Sequence, residues 1–176
     1  VYILTETGLT VADSLTISST SQTPANHNSW AVYSAGGNLS AKTMNVTLDN
    51  AAWARGIATP VGNSLSIKTD ELIFNSTSSQ YVRAVEVGSG KLTLGDIHVK
   101  GEGLTSLIAL KLLKNSTAEV RASDVTMKAK DTTQAWGING EGGSAKFNSL
   151  NVSSENGTYL AGVTLLEGAI SQVTVK

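Results

Sequence analysis

The apolar positions of this chain recur at long, regular intervals. A small residue followed by an aliphatic one appears as Ala31-Val32, Gly56-Ile57, Ala84-Val85, Ala109-Leu110, Gly137-Ile138 and Gly162-Val163, at spacings of 25, 28, 25, 28 and 25 residues. Six residues beyond each small residue stand Gly37, Gly62, Gly90, Asn115, Gly143 and Gly168. Glycine and asparagine share a tolerance of positive φ, so this column reads as a sharp structural turn. Two apolar pairs with i, i+2 spacing follow the turn. The short coils carry Leu39/Ala41 then Met44/Val46, Leu92/Leu94 then Ile97/Val99, and Ala145/Phe147 then Leu150/Val152. The long coils carry Leu65/Ile67 then Leu72/Phe74, and Ala118/Val120 then Val125/Met127. Period two predicts strands with alternate side chains facing inward. In this alignment the long coils hold one extra residue after the turn and two between the pairs.

One such coil cannot bury its own apolar residues, so neighbours must stack. The predicted fold is all-β: a right-handed parallel β-helix, a solenoid of about six to seven coils with 25/28-residue alternation. At the strand spacing of a sheet, the rod would stand roughly 30–35 Å tall. Residues 1–30 show Leu9/Val11 and Leu15/Ile17 but no turn glycine, then a polar loop from about Ser18 to Asn28; they read as an irregular or capping coil. Residues 31–176 read as stacked coils of a single domain. Leucine-rich repeats are the main rival, since Leu107, Leu110, Leu112 and Asn115 fit that pattern. The other coils do not fit it, and none shows a helical i, i+3, i+4 stripe. A propeller would need about 40 residues and four strands per blade.

Composition narrows the function classes. Hydrophobic residues at 40% and charged residues at 15% are too apolar for disorder and too weakly charged for a solvated helical bundle. The net charge is −1, without a long run of one sign, so nucleic acid and polybasic membrane contact are not expected. The chain has no cysteine, which excludes disulfides and thiolate ligands and suits either the cytosol or bacterial export. No apolar stretch approaches the length of a membrane span, so direct membrane insertion by this segment is not expected. The chain begins Val1-Tyr2-Ile3-Leu4 and reads as a mature or excised piece of a longer protein.

Reactive chemistry is sparse in the sequence. His27 and His98 fall in different coils, neither with a histidine or carboxylate at ligand spacing, so no metal site is expected. No serine-nucleophile motif or phosphate-binding glycine loop is present, and no cofactor is implied. The acids are scattered; only Asp70-Glu71 are adjacent, and strand neighbours point to opposite faces. Six Asn-x-Ser/Thr triplets, at Asn38, Asn45, Asn75, Asn115, Asn151 and Asn156, fit the Asn-, Ser- and Thr-rich composition as well as glycosylation. One surface feature stands out. Column alignment stacks Trp30, Arg55 and Arg83, with Trp53 and Tyr81 in a second column two residues earlier. Aromatic and arginine residues are typical interface anchors, so these five form a candidate binding patch. The alternative is that the tryptophans cover a corner of the core and the arginines are solvated.

The coil pattern, seen in Gly90-Lys91-Leu92-Thr93-Leu94-Gly95-Asp96-Ile97-His98-Val99 and Gly143-Ser144-Ala145-Lys146-Phe147-Asn148-Ser149-Leu150-Asn151-Val152, resembles the passenger region of Gram-negative autotransporters over about residues 31–176. The resemblance implies a non-enzymatic bacterial surface adhesin or self-association module, displayed at the cell surface or secreted through the outer membrane. Its partners would be a host surface protein, a glycan or another copy of itself. The Gly-Asp-Ser-Gly motif of the family's serine proteases is absent. Two other roles fit the same coil pattern: a carbohydrate-active β-helix enzyme, which needs clustered acids or a Ca²⁺ site, and a structural spacer.

Overall fold

Each repeat contributes one short strand to one sheet and a long strand, or two shorter ones in its place, to a second, and equivalent strands hydrogen-bond in parallel to those of the next coil. The structure is a computed structural model that describes residues 2–3, 8–22, 27–166 and 171–175. Sheet A is built from β1 (Tyr2–Ile3), β3 (Asn28–Ser34), β5 (Trp53–Thr59), β7 (Tyr81–Val87), β9 (Ser106–Leu112), β12 (Gln134–Gly140) and β15 (Tyr159–Leu165). Sheet B is built from β2 (Gly8–Thr20), β4 (Gly37–Asp49), β6 (Leu65–Thr77), β8 (Lys91–Glu102), β10 (Glu119–Ala122), β11 (Asp124–Lys130), β13 (Gly143–Phe147), β14 (Ser149–Glu155) and β16 (Ser171–Val175). The result is a parallel β-solenoid of about six turns, with no helix among the described residues.

The small-aliphatic motifs coincide in register. Val32, Ile57, Val85, Leu110, Ile138 and Val163 are successive partners down sheet A. Inside sheet B, Met44, Leu72, Ile97 and Val125 form a buried ladder, as do Val46, Phe74, Val99 and Met127. Each such side chain contributes about 1.5–3 kcal/mol when fully buried. The long strand of sheet B bends midway, at Lys42, Asp70, Gly95, Ser123 and Asn148, where the register skips or the strand breaks. The inward parity changes there, which is why each coil shows two separate apolar pairs. Sheet A's small residues match the bulk opposite them: a Cβ on Gly56 would lie 2.8 Å from Phe74 Cδ2 and 2.4 Å from the Ala84 carbonyl oxygen.

The alignment of the long coils is corrected by the register. Leu39 pairs with Ile67 and Ala41 with Thr69, so Leu65/Ile67 is not the counterpart of Leu39/Ala41. Likewise Val120 and Ala122, rather than Ala118 and Val120, stand beside Leu92 and Leu94. All three additional residues therefore lie between the turn residue and the strand. A shift of two keeps every side chain on the same face, so period two alone does not detect it. Thr69 fills the inward position with its hydroxyl within reach of the Lys42 and Glu71 carbonyl oxygens, at 3.1 and 2.8 Å.

The first coil is more regular than its sequence suggests. β2 follows β4 from Gly8↔Asn38 to Thr20↔Asp49, with one register shift between Val11 and Ser14, so Ser18 to Thr20 belong to a strand and not to a loop. Thr16-Ile17-Ser18-Ser19-Thr20 is short, partly β-branched and free of glycine, which suits a pleated edge.

The turn column is in the left-handed region: Gly37 at φ 73, Gly62 at 89, Gly90 at 93, Asn115 at 59 and Gly143 at 71. Gly168 lies outside the described residues. A second positive-φ column closes each coil on its other side, formed by Asn50, Ser78, Gly103, Asp131 and Asn156. The backbone N–H groups of Asn50, Ser78, Gly103 and Asp131 each donate to a carbonyl one coil further on, at 2.9–3.0 Å.

Candidate functional site: an aromatic and arginine surface on sheet A

Sheet A strands alternate at their start: Ala54 and Val82 point into the core and their neighbours on either side face outward, while the corresponding Leu107 lies between Ser106 and Ile108, which are themselves covered. Register then aligns the outward residues in columns. Asn28, Trp53, Tyr81, Ser106, Gln134 and Tyr159 form one; Trp30, Arg55, Arg83, Ile108, Trp136 and Ala161 form the next. All five patch residues named from the sequence, Trp30, Trp53, Arg55, Tyr81 and Arg83, thus share one surface.

Their geometry is that of a packed cluster. The Trp53 and Tyr81 rings stack with centroids 4.7 Å apart and 26° between planes. The Arg55 guanidinium lies 5.6 Å from the Trp30 ring and 4.9 Å from the Trp53 ring, and Arg83 lies 4.9 Å from Trp53. Each contact of this kind contributes about 0.5–1 kcal/mol at an exposed site. Trp30 and Tyr81 are each 40% exposed. The arginine side chains are only 17% and 21% exposed, so they are packed and not freely solvated.

A carboxylate on the same sheet, which no sequence motif marks, fixes them. Glu86 Oε2 accepts from Arg55 Nε at 3.2 Å and from Arg83 Nη1. Ala84 and Val85 are both fully buried, so the strand's alternation slips by one and Glu86 returns to the outer face beside Arg83. Two guanidiniums share one carboxylate, which leaves this cluster at about +1 with several N–H donors unused. Further along, Lys111 is nearly buried; it donates to Asn139 Oδ1 at 2.5 Å and pairs with Glu141. A second aromatic pair, Trp136 and Tyr159, occupies the same two columns, with centroids 5.5 Å apart and planes tilted by 49°. Tyr159 is 47% exposed. The columns extend simply by adding further coil lengths, so this pair was accessible to the same alignment.

Two other groupings arise from stacking. His98 does have a carboxylate nearby, with Nε2 3.7 Å from Glu71 Oε1, because Glu71 sits one coil away on β6. Glu71 pairs in register with Asp96, and Asp124 follows beside the Val125–Ile97 partner pair, so acids 25 and 28 residues apart share one column. Among the described residues, no three His, Asp or Glu side chains are grouped to hold a metal ion. His27 contributes its backbone carbonyl, which accepts from Ala52 and Trp53 N–H at 2.9 and 3.3 Å. Compared with known proteins, the chain matches no family model, no curated protein and no solved structure.

Proposed function

We propose that this chain is a non-enzymatic adhesive rod, an autotransporter-like passenger segment shown at a bacterial surface or secreted, whose sheet A face contacts a host molecule or another copy. The observation that carries this reading is the exposed aromatic surface over Arg55, Arg83 and Glu86. Its rings are held by internal contacts yet remain 40% exposed at Trp30 and Tyr81. Large rigid aromatics beside arginine provide contact area at low entropic cost, the composition of interface hot spots. The test is to tether the chain to cells and score aggregation and host-cell attachment, beside Trp30→Ala and Tyr81→Ala. Attachment that depends on these side chains supports the reading. Behaviour equal to a bare-cell control indicates a spacer.

The column of Glu71, Asp96 and Asp124 favours a second reading, a carbohydrate-active enzyme, because paired carboxylates across one strand step are the raw material of glycosidic cleavage. Release of reducing ends from an acidic polysaccharide, abolished by Glu71→Gln or Asp96→Asn, would establish it.

A further inference from the structure

We propose that the partner of the sheet A face is an acidic polysaccharide laid along the rod axis, anchored by Arg55 and Arg83 and stacked on both aromatic pairs. This rests on the adhesive reading and names its ligand.

Arg55 engages Glu86 through Nε and Arg83 through Nη1, so among the described residues each guanidinium keeps N–H donors without a hydrogen-bond partner. One carboxylate between two guanidiniums leaves a net positive charge, fixed over the Trp53 ring. A planar, pre-oriented guanidinium suits the carboxylate of an acidic sugar, and holding it in advance lowers the entropic cost of binding.

Shape points to the same ligand. Among the described residues, the exposed rings lie in two adjacent columns that run along the rod, flanked along the first column by the exposed amides of Asn28 and Gln134. Tyr81 and Tyr159 stand in one column three coils apart, about 14 Å at the strand spacing. Such a track is long, narrow and polar-edged. A linear sugar chain can place the apolar faces of its rings on the aromatics and its hydroxyls on the bordering amides. A folded protein would need a broader apolar patch. Lys111 is neutralised by Glu141, so the positive charge is concentrated at the first aromatic pair and sets where the acidic group sits.

The test is calorimetric titration of the intact chain with polygalacturonate, heparin and dextran. Polygalacturonate and heparin, which both carry uronate carboxylates, should bind, and dextran should bind weakest of all. Arg83→Gln should weaken polygalacturonate binding by at least about tenfold, the loss of a charge-assisted contact. Tyr159→Ala should weaken it about three- to tenfold, reporting the distant stacking position. Glu86→Gln should strengthen binding by raising the local charge. It also controls for misfolding, since an unfolded variant gains no affinity. Equal binding of dextran, or indifference to Arg83→Gln and Tyr159→Ala with unchanged circular dichroism, would overturn the proposal. Cell attachment that survives enzymatic removal of surface glycans would also overturn it, while leaving the adhesive reading intact.

Discussion

Gly62 and Gly90 hold the same backbone conformation, at φ 89 and 93, in different surroundings. A Cβ at Gly62 would meet nothing within 4 Å, whereas one at Gly90 would lie 2.5 Å from Leu65 Cγ, 2.6 Å from its Cδ1 and 2.9 Å from its carbonyl oxygen. Alanine at either position meets a left-handed penalty of about 1–2 kcal/mol, partly offset by about 0.4–1 kcal/mol from a stiffer unfolded chain. Gly62→Ala should therefore cost about 1 kcal/mol. Gly90→Ala adds overpacking against Leu65, about 1–3 kcal/mol more, for a total of about 2–4 kcal/mol. Urea unfolding followed by the fluorescence of Trp30, Trp53 and Trp136 reads both variants. Leu65 is 6% exposed, so Leu65→Ala alone should cost about 2–4 kcal/mol. The double variant should cost about 1–2 kcal/mol less than the sum, because the clashing Cγ and Cδ1 atoms are gone. Equal midpoints for the two glycine variants, or strict additivity with Leu65→Ala, would refute the assignment of Gly90 to a packed turn.

Ser78 adopts φ 52 at a position its stacked counterparts give to asparagine, glycine or aspartate; Ser78→Asn should stabilise the fold by about 0.5–1 kcal/mol, seen as a raised melting temperature. Glu86→Gln removes the charge shared by Arg55 and Arg83 and should destabilise by about 1–3 kcal/mol in thermal unfolding. Lys130 donates to Glu102 at 2.9 Å, and this bond, with the nearby Asp131 and Glu155 charges, holds its pKa above the usual 10.5. The folded state binds that proton more tightly, so its stabilising effect is present below 10.5 and disappears as pH rises through the raised value. Lys130→Met should flatten that alkaline fall in stability; an unchanged profile would count against the pair.

The columns of this fold were legible because stacking converts sequence spacing into contact. Val32, Ile57 and Val85 needed only a count of residues, and so did Trp30, Arg55 and Arg83. Four things were hidden for different reasons. The offset of Leu65 and Ala118 preserved facing, and facing was the only signal. The second turn column mixes asparagine, serine, glycine and aspartate, which share a backbone tolerance and no side chain, so a search by residue identity passes over it. Glu86 follows two consecutive buried residues, and strict alternation would have placed it elsewhere. The acids at 71, 96 and 124 are far apart along the chain, and only the stacking of coils 25 and 28 residues long brings them into one column.

Because neighbouring coils are joined by hydrogen bonds running along the rod, tension applied between its ends would peel one coil at a time. Each event would release 25 or 28 residues, about 85 or 95 Å of extended chain. A molecule drawn taut would lengthen in alternating steps and absorb work at every one, behaving as a shock absorber rather than a brittle strut.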